Sequence, residues 1–106
     1  MRSIQHHIDG QSVNSNSPST QEVLNPATTE RVAEIQIASA SETDQAVQAA
    51  KSAFLQWRDT SIAKRTKLLY NFRNLVVDNE KKIAELITEE HGKVLSDARG
   101  EVARGI

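Results

Sequence analysis

The chain contains no cysteine, which excludes a disulfide framework, a thiolate zinc site and a cysteine nucleophile within it. Aromatic residues make up 4% and all hydrophobic residues 38%. Much of that share is alanine, so a self-sufficient core would be thin. Neither sign of charge dominates: Lys+Arg 13 stand against Asp+Glu 14, for a formal net charge of -1. That balance gives no bulk attraction to nucleic acid or to an anionic membrane, and neither is expected as a partner. No apolar run approaches the roughly 18 residues that span a bilayer, and the opening MRSIQHHIDG lacks the apolar stretch of a secretory signal. A cytoplasmic chain is therefore expected. At 106 residues there is room for one small domain.

Two strand pairs are expected first. Ile4 to Ile8 and Gln11 to Val13 flank Asp9-Gly10, a dipeptide suited to a type I′ turn because both central residues need positive φ. His6 and His7 are neighbours on a strand, so they point to opposite faces and cannot converge on one metal ion. They read as surface histidines. Asn14 to Ser19 reads as an exposed polar loop. Thr20 to Leu24 and the β-branched segment Arg31 to Ala38 form the second pair, joined by Asn25-Pro26-Ala27-Thr28. Turn chemistry accounts for Asn25 without a ligand.

Helical patterns fill the rest. Ser41 with Asp44 has the form of a capping box, and Ala46, Val47, Ala50, Ala53, Phe54 and Trp57 make one apolar face behind it. A second helix follows Thr60-Ser61, with Leu68, Leu69, Phe72, Leu75 and Val76 as its stripe. Asp78-Asn79 separates it from a third, which carries Ile83, Leu86 and Ile87 to a stop at Gly92. At this spacing Phe54, Trp57, Tyr70 and Phe72 read as core and not as a stacking platform.

Ser96 is placed to cap a fourth helix from Asp97, in which Gly100 and Gly105 imply a close packing partner, since each costs about 1 kcal/mol relative to alanine. Asp97, Glu101 and Arg104 fall on one side of it, away from Ala98, Val102 and Ile106. On periodicity alone this is a solvated face with a Glu101–Arg104 pair. The apolar stripe is still running at Ile106, so the expectation is the beginning of a longer protein.

These segments also carry a resemblance. The NPAT turn after a strand, the Ala-Val-x-Ala-Ala-x-x-Ala-Phe-x-x-Trp helix of Ala46 to Trp57, Arg65 to Leu69 as Arg-x-x-x-Leu, and Glu90 to Lys93 as Glu-x-Gly-Lys resemble the N-terminal part of NAD(P)-dependent aldehyde dehydrogenases. Glu-Glu-His-Gly-Lys followed by Asp-Ala-Arg-Gly-Glu-Val-Ala-Arg-Gly-Ile is most similar to the CoA-acylating methylmalonate-semialdehyde (malonate-semialdehyde) dehydrogenases. The resemblance runs from about Ile4 to Ile106.

The resemblance implies an α/β parent enzyme, of which residues 1–106 are the incomplete N-terminal portion of the NAD-binding domain. This portion would be α+β, two N-terminal β-hairpins followed by about four amphipathic helices, and would stop before the Rossmann-like core. The catalytic domain and the β-arm would lie elsewhere. The family reaction it implies is attack by a cysteine thiolate on the aldehyde, hydride transfer to NAD and transfer of the acyl group to CoA. Carbon dioxide is lost when the substrate carries the extra carboxylate. No catalytic, cofactor-binding or metal-binding residue is assigned within this chain, which holds no cysteine and no Gly-x-Gly-x-x-Gly. NAD and CoA belong to the parent, as does assembly into dimers and tetramers with the rest of the fold. One residue carries over: the arginine of the Gly-Glu-Val-x-Arg-Gly segment, thought to hold the substrate carboxylate, falls on Arg104. Glu101 is structural in this reading, orienting that arginine. The rival expectations are a stand-alone helical interaction module and a part of a non-acylating aldehyde dehydrogenase. With its partner surface absent, the chain alone is expected to be marginally folded.

Overall fold

The computed structural model describes residues 2–106 and resolves into two compact units, residues 2–23 with Arg31–Thr60 and Leu24–Glu30 with Ser61–Ile106. In the first unit, β2 (His6–Ile8) and β3 (Gln11–Val13) pair antiparallel, His6 opposite Val13 and Ile8 opposite Gln11. Asp9 at φ 52° and Gly10 at φ 74° make the turn, as the Asp-Gly dipeptide requires. His6 is half-buried and His7 exposed, on opposite faces of the strand.

The strand before this hairpin departs from expectation. Arg2–Ile4 is a separate strand, β1, that runs parallel to β5 (Arg31–Gln36), with Arg2 beside Ala33 and Ile4 beside Ile35. With β4 (Thr20–Leu24) it forms a sheet in the order β1-β5-β4. Both expected strand pairs are present, β2 with β3 and β4 beside β5, and β1 adds a third strand to the second pair. The partner of β1 lies far along the sequence, where no local pattern could point to it. Ala33 is fully buried in the centre of this sheet.

Helix α1 (Ala40–Arg58) starts two residues earlier than expected. Its N-cap is Ser39, in extended conformation, and its capping box closes on Glu42 and not through Ser41 and Asp44. The Ser39 N–H donates to Glu42 Oε2 at 2.8 Å. The longer glutamate reaches back where an aspartate falls short. Glu42 also accepts from Ser15 Oγ and from the Asn16 N–H, both at 2.7 Å. Ser15 is buried, so the Asn14 to Ser19 loop is pinned at this point and not wholly exposed.

The bonds from Ser39, Ser15 and Asn16 hold the Glu42 carboxyl down at about 2, against 4.5 for the ordinary group. A depressed folded-state pKa contributes stability that is complete above the unfolded value and is lost as pH falls from about 4.5 through about 2. Glu42→Gln should therefore lower stability at neutral pH and flatten its decline in that window. Urea midpoints from pH 7 to pH 2 test this, and parallel curves for the two proteins would refute it.

The second unit holds α2 (Ile62–Asp78), α3 (Glu80–His91) and α4 (Leu95–Gly105). Ser61 caps α2 by accepting from the Lys64 N–H. Asn79 does not cap α3 with its side chain; its amide turns back and donates to Leu75 O at 2.8 Å. The N-cap of α4 is Val94, not Ser96, and no side chain bonds there. The core of this unit is Ala84, Ala98 and Val102, flanked by Val76, Ile83 and Ile87.

The apolar faces of α1 and α2 are exposed: neither helix has a buried residue. Phe54 is 55% accessible, Trp57 38%, Tyr70 62% and Phe72 62%. Helical spacing puts Phe54 and Trp57 on one face of α1 and Phe72 on the apolar stripe of α2, but burial needs an opposing surface, and none of the described residues covers these side chains.

Candidate functional site

The site is built on the corner between α3 and α4. Gly92 ends α3 at φ 84°, its N–H donating to Thr88 O at 2.9 Å. A left-handed residue here turns the chain sharply, and glycine takes that conformation without a Cβ penalty. The space is also closed, since a Cβ on Gly92 would lie 2.8 Å from Pro26 Cγ. The NPAT turn is set by the Asn25 side chain, whose Oδ1 accepts from the Ala27 N–H at 2.9 Å, and by Thr29 N–H to Asn25 O at 2.8 Å. Two of the segments carrying the sequence resemblance therefore meet at Pro26 and Gly92.

After the corner, α4 lies against α3 through small side chains. Ala84 and Ala98 are both fully buried, and alanines at the crossing let the backbones approach closely. Arg99 clamps the far end of α3, with Nε 2.8 Å from Glu80 Oε1 and Nη2 3.3 Å from Oε2. This fork lowers the Glu80 carboxyl and raises the Arg99 guanidinium. With one face buried and one end clamped, the outer face of α4 is held in place.

Glu101 and Arg104 occupy that face. Arg104 lies in the last turn, where the helix dipole favours a cation, and its side chain is 72% accessible. Its Nη2 is 3.8 Å from Glu101 Oε1. Its Nη1 lies back over Gly100, 3.7 Å from where a Cβ would stand. No other chain segment presses on Gly100, and nothing lies within 4 Å of a Cβ at Gly105. The close packing partner expected from these two glycines is therefore not found among the described residues. Ile106 is also exposed, leaving Ala98 and Val102 as the buried part of the stripe.

Lys93 completes the group. Its Nζ is 2.7 Å from the same Glu101 oxygen, and its side chain is only 23% accessible. The Lys93 bond is the main reason that the Glu101 carboxyl is held below the ordinary range, with the charges of Lys93, Arg104 and His91 adding to it. Sequence reasoning paired Glu101 with Arg104 and missed Lys93, because the two residues lie on opposite sides of a helix break. The basic residue just after the helix-ending Gly92 was the available signal. Among the described residues no group of three His, Cys, Asp or Glu could hold a metal ion. No helix there is long and apolar enough to cross a membrane.

What this corner belongs to is decided by comparison with known proteins. The model of the aldehyde dehydrogenase family matches residues 12–106. The chain belongs to the aldehyde dehydrogenase family. It is 46% identical over 99 residues to a Dictyostelium discoideum protein named probable methylmalonate-semialdehyde/malonate-semialdehyde dehydrogenase (acylating), mitochondrial, covering 93% of this chain and 19% of that one. Against the malonate-semialdehyde dehydrogenase of Pseudomonas aeruginosa it is 43% identical, over all of this chain and 21% of the relative. The crystal structure of methylmalonate-semialdehyde dehydrogenase from Oceanimonas doudoroffii superposes with a TM-score of 0.93 at 42% identity, covering 99% of this chain and 21% of that one. A Sinorhizobium meliloti structure described as the same type of enzyme, in complex with NAD, gives a TM-score of 0.93 at 35% identity over 99% of this chain and 21% of the other. The fold is that of an aldehyde dehydrogenase, and the chain spans about a fifth of the length of these aldehyde dehydrogenase relatives.

Proposed function

We propose that this chain is the N-terminal part of the NAD-binding domain of a CoA-acylating aldehyde dehydrogenase acting on malonate or methylmalonate semialdehyde, with Arg104 as the anchor of the substrate carboxylate. The observation that carries the reading is the exposed Arg104 guanidinium, displayed on a helix fixed by the Ala84–Ala98 contact and the Arg99 clamp. Its sequence setting also supports the reading, since the relatives it matches bear the name of semialdehyde acids. A planar guanidinium makes two charge-assisted bonds to a carboxylate. A small semialdehyde acid has no other charged handle by which to be oriented. Arg104 binds and orients; no residue of this chain is assigned to bond making, to NAD or to CoA. In this reading the cysteine that forms the thioester lies in the rest of the enzyme, which assembles as a homo-oligomer.

The division of labour has a direct test. Purified chain with semialdehyde, NAD and CoA should form no NADH above a heat-killed control, because it holds no thiol. The complete enzyme should form NADH together with acetyl- or propionyl-CoA. NADH from the chain alone would overturn the division, and a complete enzyme that yields free acid without using CoA would overturn the acylating reading.

A further inference from the structure

Arg104 has a carboxylate of its own chain within reach. Glu101 lies one helical turn before it, at 3.8 Å, and an unopposed glutamate there would compete with an incoming substrate anion for the guanidinium. The geometry provides a second cation for that glutamate. Lys93 approaches Glu101 Oε1 to 2.7 Å, closer than Arg104 does, and it is the less accessible of the two cations, with side-chain exposures of 23% and 72%. Lys93 leaves the chain just beyond Gly92, so the αL corner places the ammonium beside α4. The three groups together carry one net positive charge, and the accessible part of it is on Arg104.

We propose that Lys93 is a positioning residue for anion recognition: by neutralising Glu101 it leaves the Arg104 guanidinium available to a carboxylate of the substrate. The anion in this proposal is the substrate's carboxylate, which a single guanidinium fork can bind through two parallel bonds. The inference rests on the assignment of Arg104 made above.

The test uses the complete enzyme and reads the ratio of kcat/KM for malonate semialdehyde to that for propanal. Lys93→Met leaves Glu101 free to pair fully with Arg104, and the ratio should fall roughly 3- to 10-fold, through KM, as expected for one charge moved at close range near the surface. Lys93→Met combined with Glu101→Gln removes the competitor as well and should restore the ratio to within about twofold of wild type. A merely structural Lys93–Glu101 bridge predicts otherwise: both variants lose the bridge, so both lose thermal stability and neither shifts the ratio selectively. An unchanged ratio in Lys93→Met, or a double variant no better than the single, overturns the proposal. If Arg104→Leu also leaves the ratio unchanged, the assignment of Arg104 fails. If Arg104→Leu lowers the ratio and Lys93→Met does not, only the role of Lys93 fails.

Discussion

Replacing Arg104 by leucine in the complete enzyme is expected to lower the kcat/KM ratio of malonate semialdehyde to propanal by roughly 10- to 150-fold, the ~1.5 to 3 kcal/mol of a charge-assisted pair. Leucine keeps the stem's apolar volume and removes the fork. Propanal has no carboxylate to lose a partner, so the ratio separates recognition from general damage to the fold. Arg104→Lys should recover part of the loss, because an ammonium keeps the charge but offers no planar bidentate geometry. If Arg104 serves only Glu101, the ratio stays at its wild-type value and the variant shows a small change in stability alone. The pair it would then lose is exposed and 3.8 Å long, and such pairs contribute little.

The second large effect concerns stability. Gly92→Ala should destabilise the protein by about 2 to 4 kcal/mol, combining the αL penalty of a Cβ with the overpacking of a closed space. Gly10 is the internal control. It also has positive φ, at 74°, but nothing lies within 4 Å of its Cβ position, so Gly10→Ala should bear the backbone penalty alone. The difference between the two unfolding free energies measures the Pro26 contact, and Pro26→Ala should recover much of it in the Gly92→Ala background. Equal losses at Gly10 and Gly92 would mean that the NPAT turn does not confine the helix corner.

The parts of the fold that could be read from sequence are those whose cause is local. Asp9-Gly10 sets its turn through two positive φ angles, Gly92 ends α3 through another, and Asn25 organises its turn with its own side chain. Ser39 and Ser41 show where local reading becomes ambiguous. Both stand three residues before an acid, and the choice between them fell to Glu42, whose carboxylate also binds Ser15 and Asn16 from a distant loop. Burial was the least legible property. The Phe54 and Trp57 stripe follows helical periodicity, which places side chains on one face but does not show what covers them. At the candidate site, the motif around Arg104 singled that residue out for the proposal, whereas Lys93 meets Glu101 only across the helix break.

The parallel pairing of β1 with β5 also sets an order of events in time. At a synthesis rate of roughly 5–20 residues per second, Ile4 leaves the ribosomal exit tunnel about 2 to 6 s before its partner Ile35. The β2–β3 hairpin, by contrast, can close within roughly 1–10 μs of Val13 leaving the exit tunnel. For those seconds β1 is an unmatched edge next to a finished hairpin, the kind of segment that recruits strands from other nascent chains. Three residues long, with Arg2 and Ser3 at its start, it offers a short and charged template during the wait.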